Sequence, residues 1–241
     1  MQVIQLNKHM RHMTIYNGPG VFGSVKQFQC VDIWLNSICG DFTYIHNVST
    51  FPEQLHDTIV IPPCSVTELK QHVSNDHLEH IKQFVYTGGT YIGMCGGGYL
   101  ACENIVYDGK HNTGLGLVDC TATGSLNSSD IGKINKDPKC VSLVDIKYNE
   151  KISRIPYLLG CGFTGDTFEV TSVYDNGLAS SIKSKYGSGT VILVGVHPEL
   201  GFNYWNNWEF NDNGELLRDM NSSEGEMLDF SQYILSDYIS V

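Results

Sequence analysis

Two stretches of this chain carry residues that suit covalent acyl chemistry. The first is Gly93-Met94-Cys95-Gly96-Gly97, the pattern glycine, any residue, nucleophile, any residue, glycine of a nucleophile elbow. It follows the β-branched and aromatic run Thr90 to Met94, which reads as a strand, and a helix can begin just after it. A sharp strand-to-helix turn leaves the thiol exposed at the carboxyl edge of a sheet. The amides and dipole of the helix N-terminus then favour a thiolate there. The N–H of Gly96 would point at an oxyanion forming on a substrate carbonyl.

The second stretch is His197-Pro198-Glu199, which follows the apolar run Val191 to Val196. In an extended segment, residues two apart face the same side, so the imidazole and the carboxylate can approach each other. A cysteine nucleophile needs a base, and the base needs a group that sets its tautomer, so Cys95, His197 and Glu199 supply the three roles. The competing reading of His197 alone is an ordinary loop histidine. Of Gly93 to Gly97 alone, it is glycine-rich packing.

The elements that must position these residues alternate short apolar runs with amphipathic stretches, the pattern of a sheet with crossover helices. Strands are expected at 13–16, 42–48, 58–61, 90–94 and 191–196. Helices are expected at 24–38, with Val25, Phe28, Val31, Ile33, Leu35 and Ile38 inward, at 75–86 behind Ser74, and at the C-terminus over 223–241. Residues 1–12 read as an N-terminal extension, and 115–174 as β-rich with many turns. No repeat or linker interrupts the 241 residues, so a single domain is expected.

A net charge of −11 with no basic stripe argues against a nucleic-acid surface. The N-terminus lacks the apolar core of a signal peptide, and the run at 191–196 is too short to span a bilayer. No membrane association is expected, and a cytoplasmic location is. Eight scattered cysteines show neither a disulfide framework nor a metal spacing, which suits buried thiols in a reducing compartment. His72, His77 and His80 read as a solvated helix surface, so neither a metal nor a cofactor is expected.

Tyr16-Asn17-Gly18-Pro19-Gly20 with Gly23-Ser24-Val25-Lys26, the cysteine elbow continuing to Gly98-Tyr99, and Gly189-Thr190-Val191 leading to Gly195-Val196-His197-Pro198-Glu199 occur in this order. Together they resemble the class I glutamine amidotransferase superfamily, and more narrowly the N-terminal domain of eukaryotic-type biotin-protein ligases, over about residues 13 to 200. The resemblance implies a flavodoxin-like three-layer α/β sandwich with a mostly parallel sheet, helices on both faces and a β-rich insertion. It also implies a Cys95-His197-Glu199 triad. No biotinoyl-adenylate loop of the GRGRxG type occurs, so biotin ligation is not implied.

One position departs from the family. Where Pro-Gly-Gly commonly supplies the second oxyanion donor, this chain has Pro62-Pro63-Cys64-Ser65. Pro63 has no N–H to give, which leaves Cys64 or Ser65 to donate beside Gly96. Tyr16, Asn17, Gly18, Tyr99 and Gly162 are the candidate substrate contacts. The aromatic run Tyr204, Trp205, Trp208 and Phe210 is either core packing or a pocket lid.

Three functions are compatible with these residues. One is a thiol hydrolase or amidotransferase acting on a small amide, with a synthetase or ligase as its partner. The second is a silent or regulatory binding domain that keeps the pocket, and the third is a cysteine peptidase of the PfpI type.

Overall fold

The structure is a computed structural model that describes residues 11–21, 25–39, 43–52, 54–126, 131, 141–201 and 224–236. Five strands form its main parallel run: β1 (Arg11–Tyr16), β2 (Thr43–Val48), β3 (Thr58–Ile61), β4 (Thr90–Met94) and β13 (Gly189–Val194). They lie in the order β2-β1-β3-β4-β13, every neighbouring pair parallel. The apolar residues of β1, β3, β4 and β13 are buried, as a covered parallel sheet requires.

Alternation divides these side chains between two clusters. Ile59, Ile61, Tyr91, Val191 and Leu193 join one cluster, which also holds Leu69, Val73, Leu78, Ile81 and Val85. The last three lie on α3 (Asn75–Tyr86), and Leu69 on α2 (Val66–His72). Val60, Ile92, Met94, Ile192 and Val194 join the other, with Val31, Trp34, Leu35 and Ile38 of α1 (Val25–Cys39) and with Met227, Phe230 and Ile234 of α5 (Glu224–Ile234). Helices therefore cover both faces of this part of the sheet.

Residues 31, 34, 35 and 38 of α1 make one stripe at helical spacing. Ile33 falls outside that stripe and is exposed, which corrects its expected place in the core. The Trp34 indole donates to Ser231 Oγ at 2.7 Å, and Ser231 donates on to Met227 O at 2.6 Å. This buried relay pins α1 to α5.

Between α4 (Gly96–Ala101) and β13 come eight strands: β5 (Cys102–Tyr107), β6 (Lys110–Thr113), β7 (Val118–Gly124), β8 (Ser142–Tyr148), β9 (Lys151–Tyr157), β10 (Gly162–Thr164), β11 (Glu169–Tyr174) and β12 (Ala179–Tyr186). They extend on both sides of the β-rich stretch expected at 115–174, and they join the core sheet. β12 pairs antiparallel with β13, and the sheet continues through β10, β7, β5 and β6, with β11, β8 and β9 branching from β12. The thirteen-stranded sheet is thus only partly parallel, against the expectation of a mostly parallel one. The reason lies in the connections: β8–β9, β11–β12 and β12–β13 are joined by a few residues, and a short hairpin can only make antiparallel neighbours.

Arg11 and His12 belong to β1, so the expected N-terminal extension is shorter than 1–12. Helix α2 was not expected. Its start is nonetheless marked by Ser65 and Glu68, the spacing of a capping box; Ser65 Oγ accepts from the Glu68 amide at 3.3 Å.

Ile192, 2% exposed, sits centrally in this sheet, whereas Ile152 is 61% exposed. Ile192→Ala should cost about 2–5 kcal/mol of stability, and Ile152→Ala no more than about 0.5 kcal/mol. Urea denaturation of the two variants checks the contrast.

Candidate active site

Cys95 follows β4 directly and is the N-cap of α4. Its backbone has φ 45° and ψ −104°, a left-handed conformation that a residue with a Cβ adopts only when its surroundings impose it. The imposing contacts are backbone against backbone. A Cβ on Gly96 would collide with the carbonyl of Cys64, and one on Gly97 with the carbonyl of Ile61. Gly93 in turn faces Gly97 O, to which Tyr91 donates its hydroxyl at 2.8 Å. Glycine on both sides of the cysteine is thus required by close approach.

His197 and Glu199 reach the site from the end of β13. The pair meets through a 3-10 turn, Pro198–Gly201, closed by Leu200 N–H donating to His197 O at 3.1 Å. The extended geometry expected from the sequence is therefore replaced by a turn, which Pro198 suits because a first helical position needs no N–H. His197 Nδ1 lies 2.7 Å from Glu199 Oε1, and Nε2 lies 2.9 Å from Leu158 O. His197, Glu199 and Cys95 are each at most 2% exposed.

Both nitrogens of the ring face oxygen acceptors, and only an imidazolium can donate to both. The electrostatics point the same way. Burial alone would push the His197 pKa down, but the Glu199 carboxylate and the Cys95 sulfur, as charges and hydrogen-bond partners, hold it well above its ordinary value. Glu199 Oε2 is buried with no hydrogen-bond partner among the described residues, so its charge is balanced chiefly by the imidazolium.

The segment between β9 and β10 closes the site from above. Leu158 O and Leu159 O each lie 3.8 Å from Cys95 Sγ, and Leu159 has φ 54°. Tyr99 and Tyr157 both donate their hydroxyls to Gly160 O at 3.0 Å, and Tyr174 donates to Cys161 O at 2.7 Å. Three tyrosines therefore fix a loop whose carbonyls face the thiol and the imidazole. Leu158 and Leu159 were not legible in the sequence, because apolar residues at a strand end carry no chemical signal.

Beside Cys95 opens a cavity of about 750 Å³. Cys64, Ser65, Cys95, Tyr99, Tyr107 and Leu159 line it, together with further residues of α2 and β6. Of the oxyanion candidates, Gly96 packs directly on the Cys64 backbone. Ser65 N–H is taken by Gly20 O at 2.7 Å, so of the two alternatives Cys64 is the one left to donate. Tyr99 lines the cavity, as expected of a substrate contact. Tyr16, Asn17, Gly18 and Gly162 do not: Tyr16 is a core residue, stacked on Phe51 and donating to Pro19 O at 3.0 Å, and Gly162 packs against Leu178. Tyr107 is among the wall residues that the sequence did not suggest. The run Tyr204 to Phe210 lies outside the described residues.

A model of the family "Biotin-protein ligase, N terminal" matches residues 53–118. That stretch holds Cys64, the elbow and Tyr99. The chain is akin to the N-terminal domain of biotin-protein ligases. The match to that ligase domain ends before His197 and Glu199, so the likeness covers Cys64 and Cys95 but not those two residues.

Among solved structures, the β-galactosidase of Rahnella sp. R3 is similar at 12% identity and a TM-score of 0.56, covering 95% of this chain and 31% of that one. An exo-β-1,4-mannosidase of Opitutaceae bacterium strain TAV5 is similar at 10% identity and a TM-score of 0.50, covering 92% and 35%. A Thermoplasma acidophilum protein described as part of a GMP synthase matches at 12% identity and a TM-score of 0.48, over 95% and 96%. The chain spans about a third of the two glycosidases, and the likeness to them is one of fold alone. No curated protein matches the sequence.

Because the His197 pKa is raised in the folded protein, its pairing stabilises fully below the unfolded value of 6.5, and that stabilisation fades as pH climbs through the folded value. Glu199→Gln should lower the His197 pKa, read by NMR of the imidazole nitrogens. It should also cost on the order of 3 kcal/mol near pH 6, with the gap to wild type narrowing at higher pH.

Proposed function

We propose that this chain is a glutamine-amidotransferase-like thiol hydrolase that cleaves a small amide through a thioester on Cys95. The observation that carries the reading is the grouping of Cys95, His197 and Glu199: a cysteine in a left-handed backbone turn, with a buried imidazole that interacts electrostatically with its sulfur and bonds a carboxylate, opening on a cavity.

In this reading the Cys95 thiolate attacks the amide carbon. The carbonyl oxygen becomes an oxyanion held by the N–H groups of Gly96 and Cys64, which compensates for the donor that Pro63 lacks. His197 Nε2 turns its proton from Leu158 O to the leaving nitrogen, the C–N bond breaks, and ammonia departs. Water then attacks the thioester, giving its proton to His197. The C–S bond breaks, and a carboxylic acid product and the thiolate are released. Glu199 keeps the ring oriented and stabilises its charge throughout.

The five parallel strands in the order β2-β1-β3-β4-β13 support reading the core as flavodoxin-like, with the insertion as part of a single domain. No helix of the described residues is long and apolar enough to cross a membrane. A cytoplasmic enzyme working beside a synthetase or ligase that accepts the ammonia belongs to the same proposal.

A second reading is favoured by one observation. Nε2 is engaged by Leu158 O and the thiol is 2% exposed, as suits a binding domain that keeps the pocket without turnover.

Ammonia release from a panel of small primary amides separates the two. Hydrolysis should vanish in Cys95→Ala, fall about a thousandfold or more in His197→Ala, and fall about a hundredfold or more in Glu199→Gln. No turnover of any amide by the wild type would favour the binding domain. Cleavage of peptides but not of free amides would point to the PfpI-type activity.

A further inference from the structure

The cavity beside Cys95 differs in charge from the molecule that surrounds it. The chain has 26 acidic and 15 basic residues, yet among the described residues two lysines, Lys70 and Lys110, line this cavity and no Asp or Glu does. Lys70 lies on α2 and Lys110 on β6, so the two cations come from two different elements that line the cavity.

Neither lysine has a carboxylate partner among the described residues. Lys70 Nζ donates to the backbone carbonyl of Thr113 at 2.6 Å, which satisfies one of its three N–H groups and none of its charge. It is half-buried, and the loss of water holds its pKa below the ordinary lysine value. An ammonium in that position gains from an anion more than an exposed one does, because screening is weaker. Asn112 and Gln71 line the same cavity and offer neutral amides.

We propose that this cavity takes an acyl substrate bearing a carboxylate at the end remote from the scissile amide, the anion lying between Lys70 and Lys110. This rests on the reading of Cys95 as the nucleophile. The chemical class is the monoamide of a dicarboxylic acid, with the amide carbon at Cys95 and the free carboxylate toward α2 and β6. The same charges select against a substrate that also carries an ammonium group. Such a cation would sit beside two lysines with no acidic side chain of the lining to receive it, and like charges at close range cost affinity. Free glutamine is therefore a poorer ligand than its des-amino counterpart.

Binding separates this proposal from the catalytic one. Glutaramate, the neutral glutaric diamide and glutamine are each titrated calorimetrically into the full-length Cys95→Ala protein, which binds without turning over. Glutaramate should bind at least about tenfold more tightly than the diamide or glutamine, and its affinity should fall as salt rises. Lys110→Met, on an exposed strand with no bond to lose, and Lys70→Met should each weaken glutaramate about tenfold and leave the diamide unchanged. Lys70→Arg should retain most of the affinity.

Equal or tighter binding of glutamine or of the diamide, no binding of glutaramate, or unchanged affinity in both lysine-to-methionine variants would overturn the proposal. A wild-type protein that binds glutaramate in this pattern yet releases no ammonia would contradict the hydrolase reading and leave the anion site standing.

Discussion

The site depends on a backbone contact with no side chain in it. Gly96 and Gly97 pack directly on the carbonyls of Cys64 and Ile61, which draws the start of α4 against the end of β3 and forces Cys95 to φ 45°. A non-glycine residue held there stores on the order of 1–3 kcal/mol, and the surrounding sheet must supply that. The five parallel strands do so: β4 is central, bonded to β3 on one side and β13 on the other, and Ile92 and Met94 are fully buried next to the turn. The same arrangement brings His197 to the thiol, because β13 is the neighbour of β4 and both end at the same edge.

The insertion then changes what the edge can do. By continuing the sheet past β13, it carries the Leu158 to Cys161 segment over Cys95, where Tyr99, Tyr157 and Tyr174 hold it by hydroxyl-to-carbonyl bonds. His197 consequently has acceptors on both ring nitrogens and is held as a cation, in a buried group whose only described carboxylate oxygen with a partner is Glu199 Oε1. Catalysis in such a group requires the Leu158 carbonyl to give up its hydrogen bond as substrate enters. The cavity that substrate would enter lies between α2 and β6, one element of the core and one of the insertion.

The parts of this arrangement that follow a local period were legible in the sequence. The strands at Thr58–Ile61 and Thr90–Met94 and the helix at Asn75–Tyr86 coincide with their expected bounds, since each has a periodic apolar pattern ended by proline or glycine. The elbow was legible because glycine spacing encodes its steric demand directly. What required the fold were long-range pairings. Nothing local says that Leu158 O meets an imidazole 39 positions away, that Lys70 and Lys110 share a cavity, or that the insertion extends the core sheet. Tyr16-Asn17-Gly18 misled for the opposite reason: a strand end in an open sheet is a common place for ligands, but here the Tyr16 ring turns into the core against Phe51.

The central claim is that Cys95 is a more reactive thiol than Cys30, Cys39, Cys64, Cys102 and Cys161. Burial pushes Cys30 up to about 12 and Cys39 up to about 11, and raises Cys64, Cys102 and Cys161 as well, so these stay as unreactive thiols at neutral pH. Peptide mapping after brief treatment of the native protein with iodoacetamide near pH 7 tests the difference directly. The account predicts carboxamidomethylation first at Cys95, slowed in His197→Ala. Labelling at equal rates across the cysteines, or a Cys95 rate indifferent to His197, would contradict it.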